Sequence, residues 1–320
     1  MKTIFTLTLN PAIDKSTHVE HVLPEHKLRC ATPVYEPGGG GINVSRAIKK
    51  LGGETVAFYP KGGPTGELLH KLLNEEKITQ HPISTENWNR ENFIVVETST
   101  NRQFRFGMPG ANLKEEEWKK CLNDIKNHPD KVDYLVVSGS NPDGVPVTFY
   151  REIAAIAKQR NTKLILDTSG ETLKQAIHEG IYLLKPNIKE LSELVGREFK
   201  TSSEQEDAAM EIISQGKIEI MIVSLGAAGA MLASKDGIYY VSAPSVAKKS
   251  TVGAGDSMVA GMVYSLSRDW STIDALMYGV ACGTAATMNP GTELCKKEDV
   301  ETLYNWIKST SDKKRSTTLY

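Results

Sequence analysis

The chain has 320 residues, 40% of them hydrophobic, with 38 Lys and Arg against 39 Asp and Glu. That length and apolar content suffice for one large core, and the balance of charge gives no electrostatic reason to expect a nucleic-acid partner. Four widely spaced cysteines without a Cys-x-x-Cys pair argue against a disulfide framework or a zinc site, and no apolar run approaches the ~20 residues that span a bilayer, so a cytoplasmic protein is expected.

Met1 leads straight into a strand-like run rather than a leader peptide, and Asn10-Pro11 ends that run with Asp14 close behind. From Lys15 to Glu36 the pattern is period-two alternation with charges and turns but no helix, as in a ribbon that leaves a main sheet. His18, His21 and His26 fall in this stretch without Cys partners or an H-E-x-x-H pattern, and read as part of a charged surface. Pro37-Gly38-Gly39-Gly40-Gly41-Ile42-Asn43 then opens a helix whose Val44, Ala47, Ile48 and Leu51 fall at i, i+3, i+4 and i+7. Glycines there let a ligand approach the backbone, Asn43 offers a donor and an acceptor, and Asp14 can accept from two hydroxyls, a set that suits a polyol.

From Glu54 onward, short apolar runs alternate with helical segments. Val56 to Tyr59, Tyr134 to Val137, Leu164 to Leu166, Tyr182 to Leu184 and Met221 to Val223 are predicted strands, each followed by a helix. Such alternation means βαβ units, a mainly parallel sheet between helices, and ligands beyond the carboxyl ends of the strands. Asn92 to Phe106 interrupts it as a second ribbon, with Phe93, Val95, Phe104 and Phe106 on one apolar face. The two ribbons are expected to form a lid or a dimer contact, an ordinary edge hairpin being the plainer reading. Lys27, Arg29, Arg90 and Arg105 lie in or beside them, where they could close on a sugar phosphate.

Lys185-Pro186-Asn187-Ile188-Lys189-Glu190 follows a strand, with Asn187 and Glu190 three apart on one helix face. Either they make a small magnesium and phosphate platform, or they are a capping box. Ser224, Gly226 and Gly229 follow the next strand, where backbone could approach a nucleotide. The strongest local signal is Ser250-Thr251-Val252-Gly253-Ala254-Gly255-Asp256-Ser257, which leads into a buried helix. Amides of Gly253, Ala254 and Gly255 would be unpaired at that start and the helix dipole adds positive charge, so an anion belongs there. Asp256 beside it could take a proton from an attacking hydroxyl while the amides hold phosphoryl charge, or could simply cap the helix. No G-x-x-x-x-G-K-[ST] occurs and no G-x-G-x-x-G follows a strand, which argues against a P-loop enzyme and a dinucleotide oxidoreductase. The basic Lys313-Lys314-Arg315 sits in a Ser/Thr-rich tail and reads as a frayed end.

These strings together resemble the ribokinase-like, or PfkB, carbohydrate kinases, nearly end to end. Thr6 to Asp14, Glu36 to Val44, Phe106 to Gly110, Ser138-Gly139-Ser140 and Thr251 to Ser257 occur in the family's order. The resemblance implies a single three-layer α/β/α domain over 1–320 with a small β-sheet lid at about 15–36 and 92–106, and a homodimer through that lid. It implies Asp256 as catalytic base, with Gly253, Ala254 and Gly255 as the anion hole. Sugar and phosphate contacts are implied at Asp14, Lys27, Gly39, Asn43, Arg90, Arg105 and Ser140, with Arg29 reaching across a dimer. ATP is implied at Lys185, Asn187, Ser224, Gly226, Gly229 and Gly283, with Glu190 acting on Mg2+ through water, and K+ near Ser250, Val252, Ala286, Asn289 and Gly291. Members acting on fructose 1-phosphate or tagatose 6-phosphate tend to carry Lys where this chain has Gly40, which favours fructose 6-phosphate. Kinases of those two sugar phosphates are the alternatives within the fold, and a non-catalytic sugar-phosphate sensor is the alternative outside it. Lys248 and Glu293 depart from the family pattern near the adenine and cation positions.

Overall fold

Strands whose residues are apolar on both faces need helices on both sides, and that requirement organises the molecule. The computed structural model describes residues 2–170, 173–174, 177 and 180–317. In chain order the strands are β1 (Ile4–Leu7), β2 (Ala12–Val19), β3 (Val34–Gly38), β4 (Val56–Lys61), β5 (Thr79–Ser84), β6 (Arg90–Glu97), β7 (Arg102–Phe106), β8 (Tyr134–Ser138), β9 (Lys163–Asp167), β10 (Ile181–Leu184), β11 (Ile218–Ser224), β12 (Ala230–Ser234) and β13 (Gly237–Val241). The α-helices among the described residues are α1 (Gly40–Lys50), α2 (Gly63–Glu75), α3 (Glu115–Lys126), α4 (Phe149–Gln159), α5 (Ile188–Val195), α6 (Ser202–Ser214), α7 (Ala254–Leu266), α8 (Thr272–Thr287) and α9 (Lys297–Thr317).

The large sheet has the order β13-β12-β11-β10-β9-β8-β1-β4-β5, parallel from β11 to β5. Successive residues feed opposite cores. Ile4, Val136, Ile165 and Leu183 pack with α1, α7, α8 and α9, whereas Phe5, Leu7, Leu135, Val137 and Leu166 pack with α3 to α6. The result is a three-layer α/β/α sandwich of the ribokinase-like type. Each fully buried aliphatic side chain in these layers contributes about 1.5–3 kcal/mol. β1 lies between β4 and β8, so the strand order reverses direction there and a crevice opens outside the carboxyl ends of β1 and β8.

β11 departs from the expected strand-then-helix rule. It runs into a 3₁₀ turn at Gly226–Ala228 and then the antiparallel hairpin β12–β13, which ends the sheet. Gly229 is held at that turn, where a Cβ would lie 2.0 Å from the Val241 carbonyl.

The two ribbons form a separate four-stranded sheet, β3-β2-β6-β7. The strands start at Ala12 and Arg90 and the first ribbon closes at Gly38. β2–β3 and β6–β7 are antiparallel, but the seam between them, β2–β6, is parallel. Register puts Asp14 beside Asn92 and Glu36, and Ser16 beside Ile94 and thence Arg105, on one face. Lys15, Phe93 and Phe106 share the other face with Thr17, Val95 and Phe104. Phe106 is 47% exposed. The Lys313 to Arg315 run falls within α9 rather than beyond a helix, and its side chains lie outside the described residues.

Candidate active site

Two helix N-termini converge on the crevice at the switch point. α7 starts at Gly253, whose φ of 70° is a left-handed conformation that glycine adopts without strain. Ser257 N–H to Gly253 O, 2.8 Å, is the first rung of the helix, so the amides of Ala254, Gly255 and Asp256 precede any intrahelical partner. α1 starts beside it. Thr8, at the end of β1, accepts from the Ile42 amide at 2.7 Å and caps that start from outside the helix. Asn43 on the first turn of α1 then donates from Nδ2 to Asp256 Oδ2 at 2.9 Å.

Asp256 sits at N3 of α7 rather than at the N-cap, facing the crevice. Burial, and then the Asp167 carboxylate, push its pKa up to about 6, against the opposing pull of Asn43 and Lys185. Asp167, at the carboxyl end of β9, was not singled out by sequence. Its Oδ1 is 3.0 Å from Lys185 Nζ, and its Oδ2 accepts from Ser138 Oγ at 3.4 Å. Lys185 is 6% exposed; burial pulls its ammonium down, but Asp167, with Glu190 and Asp256, outweighs this and its pKa is raised. The ammonium lies 3.6 Å from where a Cβ on Gly255 would stand, beside the free amides. A phosphate placed there would meet amides, a helix dipole and an ammonium together.

On the lid side, a cavity of about 230 Å³ is lined by Asp14, Arg90, Asn92, Arg105, Phe106 and Val252 among others. Val252 carries that cavity to the threshold of α7. Asp14 is 7% exposed, accepts from Asn92 Nδ2 at 2.8 Å, and is raised in pKa chiefly by burial. Gly38 makes room for it, since a Cβ there would fall 2.5 Å from Asp14 Oδ2. Arg90 donates to the carbonyls of Met108 and Asn10, both at 3.2 Å, leaving a buried Nε without a partner. Ser140 accepts from Asn10 Nδ2 at 2.9 Å, which joins the end of β1 to the end of β8. Gly39 is the residue just before α1. Lys27 and Arg29 are not brought to this cavity: they lie exposed on the segment between β2 and β3, with no ion pair to another described residue.

On the other side of Lys185, Asn187 and Glu190 take each other. Asn187 N donates to Glu190 Oε2 at 2.8 Å, and Glu190 N to Asn187 Oδ1 at 2.9 Å, the capping box of α5. Burial raises the Glu190 pKa. Glu190 Oε1 is left out of the box and can reach a hydrated divalent ion. Among the described residues no group of three or more ligating side chains forms a cage, so a magnesium ion here would complete its shell with water and phosphate, as it commonly does. Ser224 pairs with Asn187 by a β-bridge at the same edge, and Gly226 and Gly229 frame the turn after it. Gly283 is buried in α8, where a Cβ would come 3.1 Å from the Ala254 carbonyl, so it serves the close approach of α8 to the start of α7.

The proposed cation loop is a set of hard oxygen donors. Ser250 Oγ donates to Gly291 O at 2.7 Å and accepts from Val252 N at 3.2 Å; Asn289 Nδ2 donates to Leu294 O at 3.0 Å. Ala286 and Asn289 stand at the C-terminal end of α8, where the negative end of the helix dipole favours a cation; the Ala286 carbonyl also accepts from the Asn289 amide at 3.2 Å. A larger cavity, about 650 Å³ and lined by Lys2, Lys131, Lys158, Lys163 and Lys217, opens at the opposite, amino end of the strands. The convergence of named polar groups is at the carboxyl end.

A model of the pfkB family carbohydrate kinases matches residues 7–299. The ATP-dependent 6-phosphofructokinase isozyme 2 of Mycobacterium tuberculosis is 43% identical over 301 residues, 94% of this chain and 88% of that protein. The crystal structure of Escherichia coli phosphofructokinase-2 in complex with potassium superposes with a TM-score of 0.93 at 42% identity, covering 96% of this chain and 100% of that one. The structure of the same E. coli enzyme in complex with fructose-6-phosphate gives a TM-score of 0.91 at 40% identity, over 96% and 100% of the two chains.

Proposed function

The chain belongs to the pfkB family of carbohydrate kinases, and from that premise we propose that it transfers the γ-phosphoryl group of ATP to the C1 hydroxyl of fructose 6-phosphate, giving fructose 1,6-bisphosphate and ADP. The observation that carries this reading is the position of Asp256: a carboxylate of raised pKa beside three free helix amides, between a cavity with two arginines and a buried lysine.

Asp14, Asn43, Gly39 and Ser140 hold the sugar hydroxyls, and Arg90 and Arg105 hold the 6-phosphate. Asp256 accepts the C1 proton as the oxygen attacks in line. The amides of Ala254 and Gly255, with Gly253 shaping the turn, and the Lys185 ammonium stabilise the charge that spreads over the phosphoryl oxygens. Lys185, Asn187, Ser224, Gly226, Gly229 and Gly283 border the nucleotide. Glu190, with Asp167 beside it, would hold the waters of a Mg2+ ion, which would supply charge neutralisation of the phosphates. K+ suits the oxygen set of Ser250, Val252, Ala286, Asn289 and Gly291. The whole chain acts as one domain with the β2, β3, β6 and β7 sheet as its lid. Two copies join through the apolar lid face, where Arg29 of one reaches the cavity of the other. No helix among the described residues is long and apolar enough to cross a membrane, and we place the enzyme with its substrates in the cytoplasm.

The test is ADP release with fructose 6-phosphate, fructose 1-phosphate and tagatose 6-phosphate offered in parallel. Turnover with the first at the highest kcat/KM supports the assignment. Equal kcat/KM on all three removes the sugar preference, and ligand binding without turnover on any removes the kinase.

A further inference from the structure

We propose that the hydrogen bond from Thr292 to Glu36 is a latch that ties the sugar side of the cleft to the loop after α8, making Thr292 a positioning residue for the transfer. The inference rests on the kinase reading above and deepens it.

Glu36 lies on β3, opposite Asp14 in register and two residues before Gly38, against which the Asp14 carboxylate packs. Its Oε2 accepts from Thr292 Oγ1, 256 residues away in the chain. Its other oxygen lies 3.5 Å from Arg46 Nη2. Arg46, 3% exposed on α1, is already committed: it donates to Glu76 from Nε and Nη2 at 2.6 to 3.0 Å and to the Pro37 carbonyl from Nη1 at 2.8 Å. One guanidinium thus faces two carboxylates, and Glu36 relies on the Thr292 hydroxyl as the donor to its Oε2.

Thr292, itself 3% exposed, sits in a segment tied just as firmly to the other half of the site. Gly291 accepts from Ser250, Asn289 donates to the Leu294 carbonyl, and Leu294 Cδ2 occupies the space 2.6 Å from where a Cβ on Gly253 would be. Residues 289–294 therefore touch the start of α7 on one side and the strand that pairs with Asp14 on the other. A monovalent ion that fixes the 289–291 carbonyls would, through this hydroxyl, fix β3 and Asp14 as well. Linkage makes the effect reciprocal: bound sugar must tighten the ion by the factor by which the ion tightens sugar.

The experiment is calorimetric titration of fructose 6-phosphate without nucleotide, in potassium chloride and in tetramethylammonium chloride at equal ionic strength, alongside steady-state kinetics. Wild type and Thr292→Ser, which keeps the donor, are expected to bind the sugar phosphate about fivefold or more tightly in potassium, the lower end of usual coupling. Thr292→Val, which keeps the shape and loses the donor, is expected to bind equally in both salts within about twofold. Its sugar KM rises while kcat stays within about threefold, a split that a loosened fold would not produce. Glu36→Leu, which removes the acceptor, serves as a second variant should the valine protein fail to fold, with the same loss of ion dependence expected. A valine variant that keeps the wild-type ion dependence overturns the latch, as does a wild type whose sugar affinity is the same in both salts. A wild type that turns over no ketohexose phosphate overturns the kinase reading, and the latch with it.

Discussion

Asn43 Nδ2 and Asp256 Oδ2 meet at 2.9 Å across 213 residues of chain, joining the first turn of α1 to the first turn of α7. The amide occupies one carboxylate oxygen and orients the other toward the crevice. It also opposes burial and Asp167, which drive the carboxyl toward its protonated form. A base poised near neutrality is suited to accept a proton and release it again.

Replacing Asp256 by Asn should lower kcat on the order of 10²- to 10⁴-fold, with KM values little changed. The same variant should be more stable above neutral pH. With a pKa of about 6 in place of the ordinary 3.8, the folded protein keeps a proton that the unfolded chain has already lost between those values. Native stability therefore falls as pH rises through that window, and the full cost persists above it. Asn carries no such cost, so urea unfolding should show a gain on the order of 1–3 kcal/mol at pH 8 that vanishes near pH 4. A loss of both activity and stability would mean that the carboxylate is structural.

The acid limb of kcat/KM should report this group in the free enzyme, falling about tenfold per pH unit below pH about 6. Two substitutions should move it in opposite directions. Asn43→Leu removes a donor that favours the charged form and should shift the limb to higher pH. Asp167→Asn removes a like charge and should shift it lower. Limbs that move together, or stay fixed, would assign the titration to another residue.

The parts of the molecule legible in sequence are those where one local pattern has one physical solution. Strands buried on both faces leave apolar runs such as Tyr134 to Val137, and glycines before a buried helix mark the starts of α1 and α7. The parallel β2–β6 seam was not legible, because the pairing of Asp14 with Asn92 is set by two distant ribbons docking, and alternation says nothing of direction. Asp167 was missed for a related reason. A lone Asp after Leu164-Ile165-Leu166 looks like any solvated loop residue until β10 places Lys185 beside it, although its position at the carboxyl end of a buried strand was a usable signal. Gly226 and Gly229 mark a turn as well as an edge of the crevice, since a hairpin follows β11 where a helix was expected.

Gly40 bears on the choice of sugar through packing. A Cβ at that position would lie 2.3 Å from Ser138 Oγ and 2.7 Å from the Gly139 amide, so any side chain must push the start of α1 away from the end of β8. Gly40→Ala should therefore destabilise by about 1–3 kcal/mol. It should also lower kcat/KM for fructose 6-phosphate on the order of tenfold to a hundredfold through misplacement of Asn43. Gly40→Lys alone should impair all three ketohexose phosphates rather than transfer preference to another. A lysine variant that gains turnover on fructose 1-phosphate would show that the contact yields without cost.

The lid face offers the last test. Phe93 and Phe106 sit opposite each other in register, rings 6.2 Å apart, with Phe106 47% exposed and Lys15 and Tyr35 beside them. The polar face of the same four strands carries Asp14, Asn92 and Arg105. If a second copy covers the apolar face, a charge there must be buried or the dimer must part. On the proposed dimer, the wild type is expected to sediment as a dimer and Phe106→Asp as a monomer. On that reading its sugar KM should rise about tenfold or more, because the lid loses its support, the cavity that Phe106 itself helps to line is altered, and the proposed arginine of the second copy is lost. The ATP KM should change far less, since Lys185 and the α7 amides belong to the other layer. Dimers that persist in the aspartate variant would move the interface elsewhere, and monomers with wild-type KM would free the lid from any need of a partner.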